Sequence, residues 1–121
     1  MQSEKRILLV EDDELTLSIS RRMLVNAGYF VDAAMESGNA IKLLTNHKYD
    51  LVIFDISMPT LNGFDLVQLM ESFHIDSKIA FLTNLEDEET IAKVKKMKIN
   101  RLIFKEKELM TLAQIVSEIL A

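Results

Sequence analysis

Four short runs in this chain are apolar at every position, and each stops at a polar residue. Ile7-Leu8-Leu9-Val10 stops at Glu11-Asp12-Asp13, and Leu51-Val52-Ile53-Phe54 stops at Asp55. Ile79-Ala80-Phe81-Leu82 stops at Thr83, and Leu102-Ile103-Phe104 stops at Lys105. A strand with no polar position has no face to offer to water, so it must be covered on both sides. A fifth strand candidate, Tyr29 to Ala33, carries one acid, Asp32.

Helical patterns fill the intervals. Glu14 to Ala27 spaces Leu15, Ile19 and Met23 four apart, and Gly28 follows as a C′ glycine. Ser37 to Asn46 carries Ala40, Ile41 and Leu44 at helical spacing. Pro59 and Gly63 punctuate a loop, after which Phe64 to Phe73 carries Leu66, Val67 and Met70. Glu86 to Lys98 has acids in its first turn and lysines in its last, as the helix dipole favours. Glu108 to Leu120 closes the chain.

Five strand–helix units in 121 residues predict an α/β fold: one doubly wound, five-stranded parallel sheet in a three-layer sandwich. There is no linker, repeat or low-complexity stretch, so one domain over residues 1–121 is expected. The absence of cysteine excludes disulfides and thiolate metal sites and fits a reducing, cytoplasmic location. The first apolar run is too short for a signal-peptide core or a membrane span, so no membrane association is expected. The net charge of −5 argues against direct nucleic-acid binding. The basic cluster Lys93, Lys95, Lys96, Lys98 and Arg101 reads as a solvated face at a helix C-terminus. His47 and His74 read as surface residues, and the seven methionines as core filler.

In open α/β sheets, ligands bind beyond the carboxyl ends of the strands. Here those ends carry Glu11, Asp12, Asp55, Thr83 and Lys105. If the first and third strands are neighbours, three carboxylates converge and raise one another's pKa. A hard divalent cation such as Mg²⁺ compensates such a cluster, with Lys105 as a second positive charge and Thr83 as a hydroxyl donor. A carboxylate can be a nucleophile and form an aspartyl phosphate. Phosphoryl transfer needs this kind of positioning and charge neutralisation. Each residue also has a plain structural reading. Asp13 suits the N-cap of the first helix, Asp55 could end a turn, and Thr83 or Lys105 alone is ordinary. Only their joint placement at strand ends points to chemistry.

Leu8-Leu9-Val10-Glu11-Asp12-Asp13, Asp55-Ile56-Ser57-Met58-Pro59, Leu61-Asn62-Gly63, Thr83 and Lys105 together resemble the receiver domain of two-component response regulators. The resemblance covers essentially the whole chain. It implies a flavodoxin-like strand order of 2-1-3-4-5. It implies that Asp55 accepts a phosphoryl group from the phosphohistidine of a sensor histidine kinase or phosphotransfer protein. It also implies that Asp12 binds Mg²⁺ directly, Glu11 acts through water, Ser57 offers its backbone carbonyl, and Thr83 and Lys105 bind phosphoryl oxygens. The activity implied is self-phosphorylation with slow hydrolysis, a switch and not an enzyme acting on other substrates. The output would be a changed surface on the fourth helix, fifth strand and fifth helix, contacting an effector domain or a second copy.

Three departures from the family pattern stand out. Glu106 replaces the usual proline after Lys105, which predicts a different loop path and a less firmly seated lysine. Leu102 replaces the usual switch aromatic, and Phe104 is not expected by alternation to take its place. Asn84 replaces a small residue after Thr83, so Asn84 and Leu85 are expected to tune phosphoryl lifetime through water access. Leu102 and Glu106 motivate an alternative, a pseudo-receiver that binds partners constitutively. Ser57 stands where aspartyl-phosphate phosphohydrolases carry a second acid, which weakens that reading. Three glycines and no phosphate-cradling loop weaken a flavin-binding one. No effector domain is legible, so the chain is expected to be a stand-alone regulator or a piece of a longer regulator or hybrid kinase.

Overall fold

The computed structural model describes residues 4–56, 58, 63–84 and 88–121. The elements run β1 (Arg6–Val10), α1 (Glu14–Asn26), β2 (Phe30–Ala34), α2 (Ser37–Asn46), β3 (Leu51–Asp55) and α3 (Gly63–Ser72). They continue with β4 (Lys78–Thr83), α4 (Glu88–Lys95), β5 (Arg101–Phe104), α5 (Lys105–Glu108), a 3₁₀ turn (Leu109–Thr111) and α6 (Leu112–Leu120). The five strands pair in parallel in the order β2-β1-β3-β4-β5, the order expected.

Strand alternation divides the core between the two faces of the sheet. Leu8, Val10, Val52, Phe54, Ile79 and Phe81 pack against Ala40 and Leu44 of α2, Leu66 and Met70 of α3, and Val94 of α4. Ile7, Leu9, Leu51, Ile53, Leu82 and Ile103 pack against Leu24 of α1 and Leu112, Ile115 and Val116 of α6. Full burial of one such side chain stabilises by about 1.5–3 kcal/mol. This two-sided burial is why the central strands carry polar residues only at their ends.

Local signals set the helix ends. Asp13 caps α1 by accepting the Thr16 N–H at 2.9 Å. Gly28, at φ 100°, is the C′ residue of a Schellman motif. Its N–H donates to Val25 O, and the Tyr29 N–H donates to Leu24 O.

Four expectations need correction. The stripe Leu15, Ile19, Met23 identifies a helix but not its buried face. Leu15 is 68% exposed and Ile19 36%, while Ser20 and Leu24 are buried. The regular part of α4 ends at Lys95, short of the expected Lys98. The closing helix begins at Leu112, not Glu108, because the chain first makes a separate turn of helix at Lys105–Glu108. The methionines are not uniformly core filler: Met58 and Met70 are buried, but Met35 and Met110 are exposed.

Candidate functional site

The chain winds outward from β1 to β2 and returns to β3, so strand order reverses between β1 and β3. In their register Val10 pairs with Phe54, which sets the next residues, Glu11 and Asp55, side by side at the carboxyl ends. The Glu11 N–H is held by Ala34 O of β2 at 3.0 Å. Asp55 ends β3 opposite Leu82 of β4, and Thr83 follows at the end of β4 opposite Phe104. Glu11, Asp55 and Thr83 are buried, and Asp12 is exposed at the mouth.

One oxygen from each of Glu11, Asp12 and Asp55 lies within 4.8 Å of the others. Lys105 reaches in from the other side. Its Nζ donates to Glu11 Oε1 at 2.6 Å and to Asp55 Oδ2 at 3.1 Å. Burial pushes the Glu11 carboxyl up to about 7; the Lys105 hydrogen bond pulls it back and the Asp55 charge pushes it further up. Burial draws the Lys105 ammonium down, but the hydrogen bond to Glu11 and the charges of Asp55 and Glu11 outweigh it, leaving it above its ordinary value.

The residues present fit a divalent cation. Glu11 Oε2 is buried and finds no hydrogen-bond partner among the described residues. A buried carboxylate oxygen without a partner costs about 1–3 kcal/mol or more, a penalty that a cation removes. All the side-chain donors here are carboxylate oxygens, the hard ligands that Mg²⁺ takes while retaining water.

The sequence pattern of the family described as response regulator receiver domain matches residues 7–117. The chain belongs to the response regulator receiver domain family. Among this receiver's relatives, the transcriptional regulatory protein CusR of Escherichia coli K12 is 36% identical over 80 residues, 66% of this chain and 35% of CusR. The regulatory protein VanRB of Enterococcus faecalis is 38% identical over 84 residues, 69% of this chain and 38% of VanRB. The transcription factor SKN7 of Candida albicans is 37% identical over 86 residues, 70% of this chain and 15% of SKN7. The chain thus spans well under half the length of these relatives. The solved CheY-like receiver of Methanospirillum hungatei covers 98% of this chain and 94% of its own, with TM-score 0.87 and 26% identity. The response regulator TrrA of Thermotoga maritima, solved with Mg²⁺ and BeF, covers 95% of this chain and 98% of its own, with TM-score 0.82 and 27% identity.

The receiver's departures can be placed. With Glu106 after it, Lys105 opens α5, and its ammonium reaches Glu11 and Asp55. Phe104 and Leu102 line the same groove against α4, together with Ile91, Val94 and Met97. Residues two apart in a strand share a face, so alternation gives no ground for keeping Phe104 from the side of Leu102. Asn84 is exposed just beyond Thr83, and Glu106 is exposed on α5. Ser57, Leu85, Pro59, Leu61 and Asn62 lie outside the described residues. His47 and His74 are exposed, as expected of surface residues, and lie in the segments that lead into the amino-terminal ends of β3 and β4. Among the described residues no helix is long and apolar enough to cross a membrane.

Two residues carry more than their sequence suggested. Arg101, read as one cation of a solvated cluster, is the first residue of β5 and ion-pairs with Glu108 at 2.7 Å. Glu108, read as the start of the closing helix, also accepts the Phe104 N–H at 3.1 Å. An acid four residues after a strand's last residue was the available signal, a near relative of the capping box. Lys93 is not simply solvated either, since its Nζ sits 4.2 Å above the Phe64 ring.

Proposed function

We propose that this receiver is a phosphorylation-controlled switch in which Asp55 is the phosphoacceptor. The observation that carries the reading is the convergence of Glu11, Asp12, Asp55 and Lys105 at the end of the sheet.

The donor is the phosphohistidine of a sensor histidine kinase or phosphotransfer protein. An Asp55 carboxylate oxygen attacks phosphorus in line with the imidazole nitrogen. The P–O bond forms as the P–N bond breaks, and the electron pair leaves with the imidazole. Lys105 neutralises charge on the transferred group through its ammonium, in place of one of its present carboxylate partners. Thr83 supplies a hydroxyl donor from the adjoining strand end. Asp12 and Asp55 would hold a divalent cation directly, Glu11 through water, and by the family resemblance the Ser57 carbonyl would be a further ligand. When bound there, a divalent cation would supply the positive charge that lets these carboxylates tolerate an incoming phosphoryl group. Later attack by water on phosphorus releases phosphate and restores the Asp55 carboxylate.

The output surface is the face built by α4, β5 and the closing helix α6. It contacts an effector domain or a second copy of the receiver, in the cytoplasm and over a domain that fills residues 1–121. Coupling runs without an aromatic at Leu102. Because a ligand shifts a two-state equilibrium only through differential contacts, the loss and gain of Lys105 partners is the natural bias.

Beryllofluoride, a phosphoryl mimic, tests this reading by ¹⁹F NMR. Bound signals are expected with Mg²⁺ and wild-type protein and are expected to vanish in Asp55→Asn. No bound signal for wild type rejects the phosphoacceptor role.

A further inference from the structure

We infer that Glu108 is a positioning residue for Lys105, acting with Arg101 through the β5–α5 junction. The inference rests on the reading in which Lys105 engages the phosphoryl group.

Lys105 lies one residue beyond the edge strand β5, where no further strand among the described residues holds the backbone. A four-carbon side chain on a loose backbone would not place its ammonium with fidelity. Here the backbone on either side of Lys105 is tied. The Phe104 N–H donates to Glu108 Oε1 at 3.1 Å, and the Lys105 carbonyl accepts from the Leu109 N–H. Glu108 is itself anchored. Arg101 Nη2 donates to its Oε2 at 2.7 Å, and Arg101 Nη1 donates to Leu102 O at 2.9 Å.

The guanidinium therefore joins the β5 backbone to the Glu108 carboxylate, and that carboxylate joins back to Phe104. The loop closes around the one residue whose side chain enters the acid cleft. A simple helix cap needs only the Phe104 N–H. The added pairing to Arg101, four residues upstream of Lys105, sets the angle at which α5 leaves the sheet. That angle aims the Lys105 stem at Glu11 and Asp55. Phe104 also pairs in register with Thr83, so the same clamp borders both residues proposed to meet the phosphoryl group.

The test uses the full chain, with acetyl phosphate and Mg²⁺ as the labelling mixture. Labelling rates are compared for wild type, Glu108→Ala, Lys105→Ala and the double variant, each checked for folding by circular dichroism. Glu108→Ala is expected to slow labelling on the order of 10- to 100-fold, the cost of a reacting group displaced by about an ångström. In the Lys105→Ala background the same change is expected to add no further slowing, because the two act as one unit. A wild-type rate in Glu108→Ala overturns the inference. So does the same fold loss in the Lys105→Ala background, which would mark a general structural role. If Glu108→Ala does not fold, Glu108→Gln decides: it keeps an acceptor for Phe104 and is expected to show a smaller loss, and no loss overturns the inference. The Lys105 ammonium signal in metal-free protein, read by ¹H–¹⁵N NMR, is independent of labelling. It is expected to shift or broaden in Glu108→Ala, and an unchanged signal overturns the inference. A wild-type chain that fails to label defeats the phosphoacceptor reading, while the ammonium signal still decides what Glu108 does.

Discussion

Lys105 Nζ lies 2.6 Å from Glu11 Oε1, while the other oxygen of that carboxylate, Oε2, is buried without a hydrogen-bond partner among the described residues. One ammonium thus serves half of a buried carboxylate and shares itself with Asp55 at 3.1 Å. Three carboxylates and one lysine leave the cleft short of positive charge, and what can supply it separates several outcomes.

The first is metal affinity. A cation that binds the folded chain alone stabilises it by mass action, by about 1.4 kcal/mol at tenfold its Kd. Mg²⁺ is expected to raise the melting temperature of wild type, and a chelator to reverse the rise. Asp12→Asn and Asp55→Asn are expected to lose most of it. An equal rise in all three proteins would place the metal elsewhere.

The Arg101–Glu108 clamp has a pH signature. The hydrogen bond from Arg101 holds the Glu108 carboxyl below its ordinary value, and the Phe104 N–H assists. A depressed folded value means that the unfolded chain takes the proton more readily. The stabilisation is therefore complete above the ordinary glutamate range and lost as pH falls through the folded value. The pair is partly exposed, so it is worth about 1 kcal/mol or less. Urea unfolding should show wild type more stable than Glu108→Gln at neutral pH, with the gap closing in acid. A gap that is constant or widens in acid contradicts this.

Gly63 opens α3 where there is no room for a methyl group. A Cβ there would meet Ile56 Cγ2 at 2.6 Å and Phe81 Cε1 at 2.9 Å. Overpacking of this kind costs about 1–3 kcal/mol, more than alanine regains in helix propensity. Gly63→Ala is expected to lower the melting temperature by several degrees, and an unchanged value would show that Phe81 yields freely.

Asn84 is exposed next to buried Thr83, and its place after the proposed phosphoryl-binding hydroxyl motivates a test of water access. Asn84→Ala is expected to shorten the aspartyl-phosphate half-life by up to about tenfold, a barrier change of about 1.4 kcal/mol. An unchanged half-life removes Asn84 from the control of hydrolysis.

The sheet was readable because its central strands are buried on both faces and so are apolar between their ends. The candidate site was legible because each of those apolar runs ends abruptly on a polar residue, and the fold brings Glu11, Asp12 and Asp55 together. The buried face of α1 was not, because Ser20 points inward and Leu15 outward, an inversion that no hydrophobic pattern reveals. The clamp was not, because Arg101 and Glu108 meet only after the chain turns from β5 into α5, and each has an unremarkable local reading. Leu102 and Glu106 marked departures from a family pattern, but the pattern could not say what replaces the proline. The structure offers a carboxylate clamp at that junction.

The account stands or falls on Asp55. The direct measurement is the intact mass of the chain after incubation with acetyl phosphate. One added phosphoryl group is expected with Mg²⁺, absent with chelator and absent in Asp55→Asn. Equal labelling of Asp55→Asn, or no labelling of folded, Mg²⁺-loaded wild type, would contradict it.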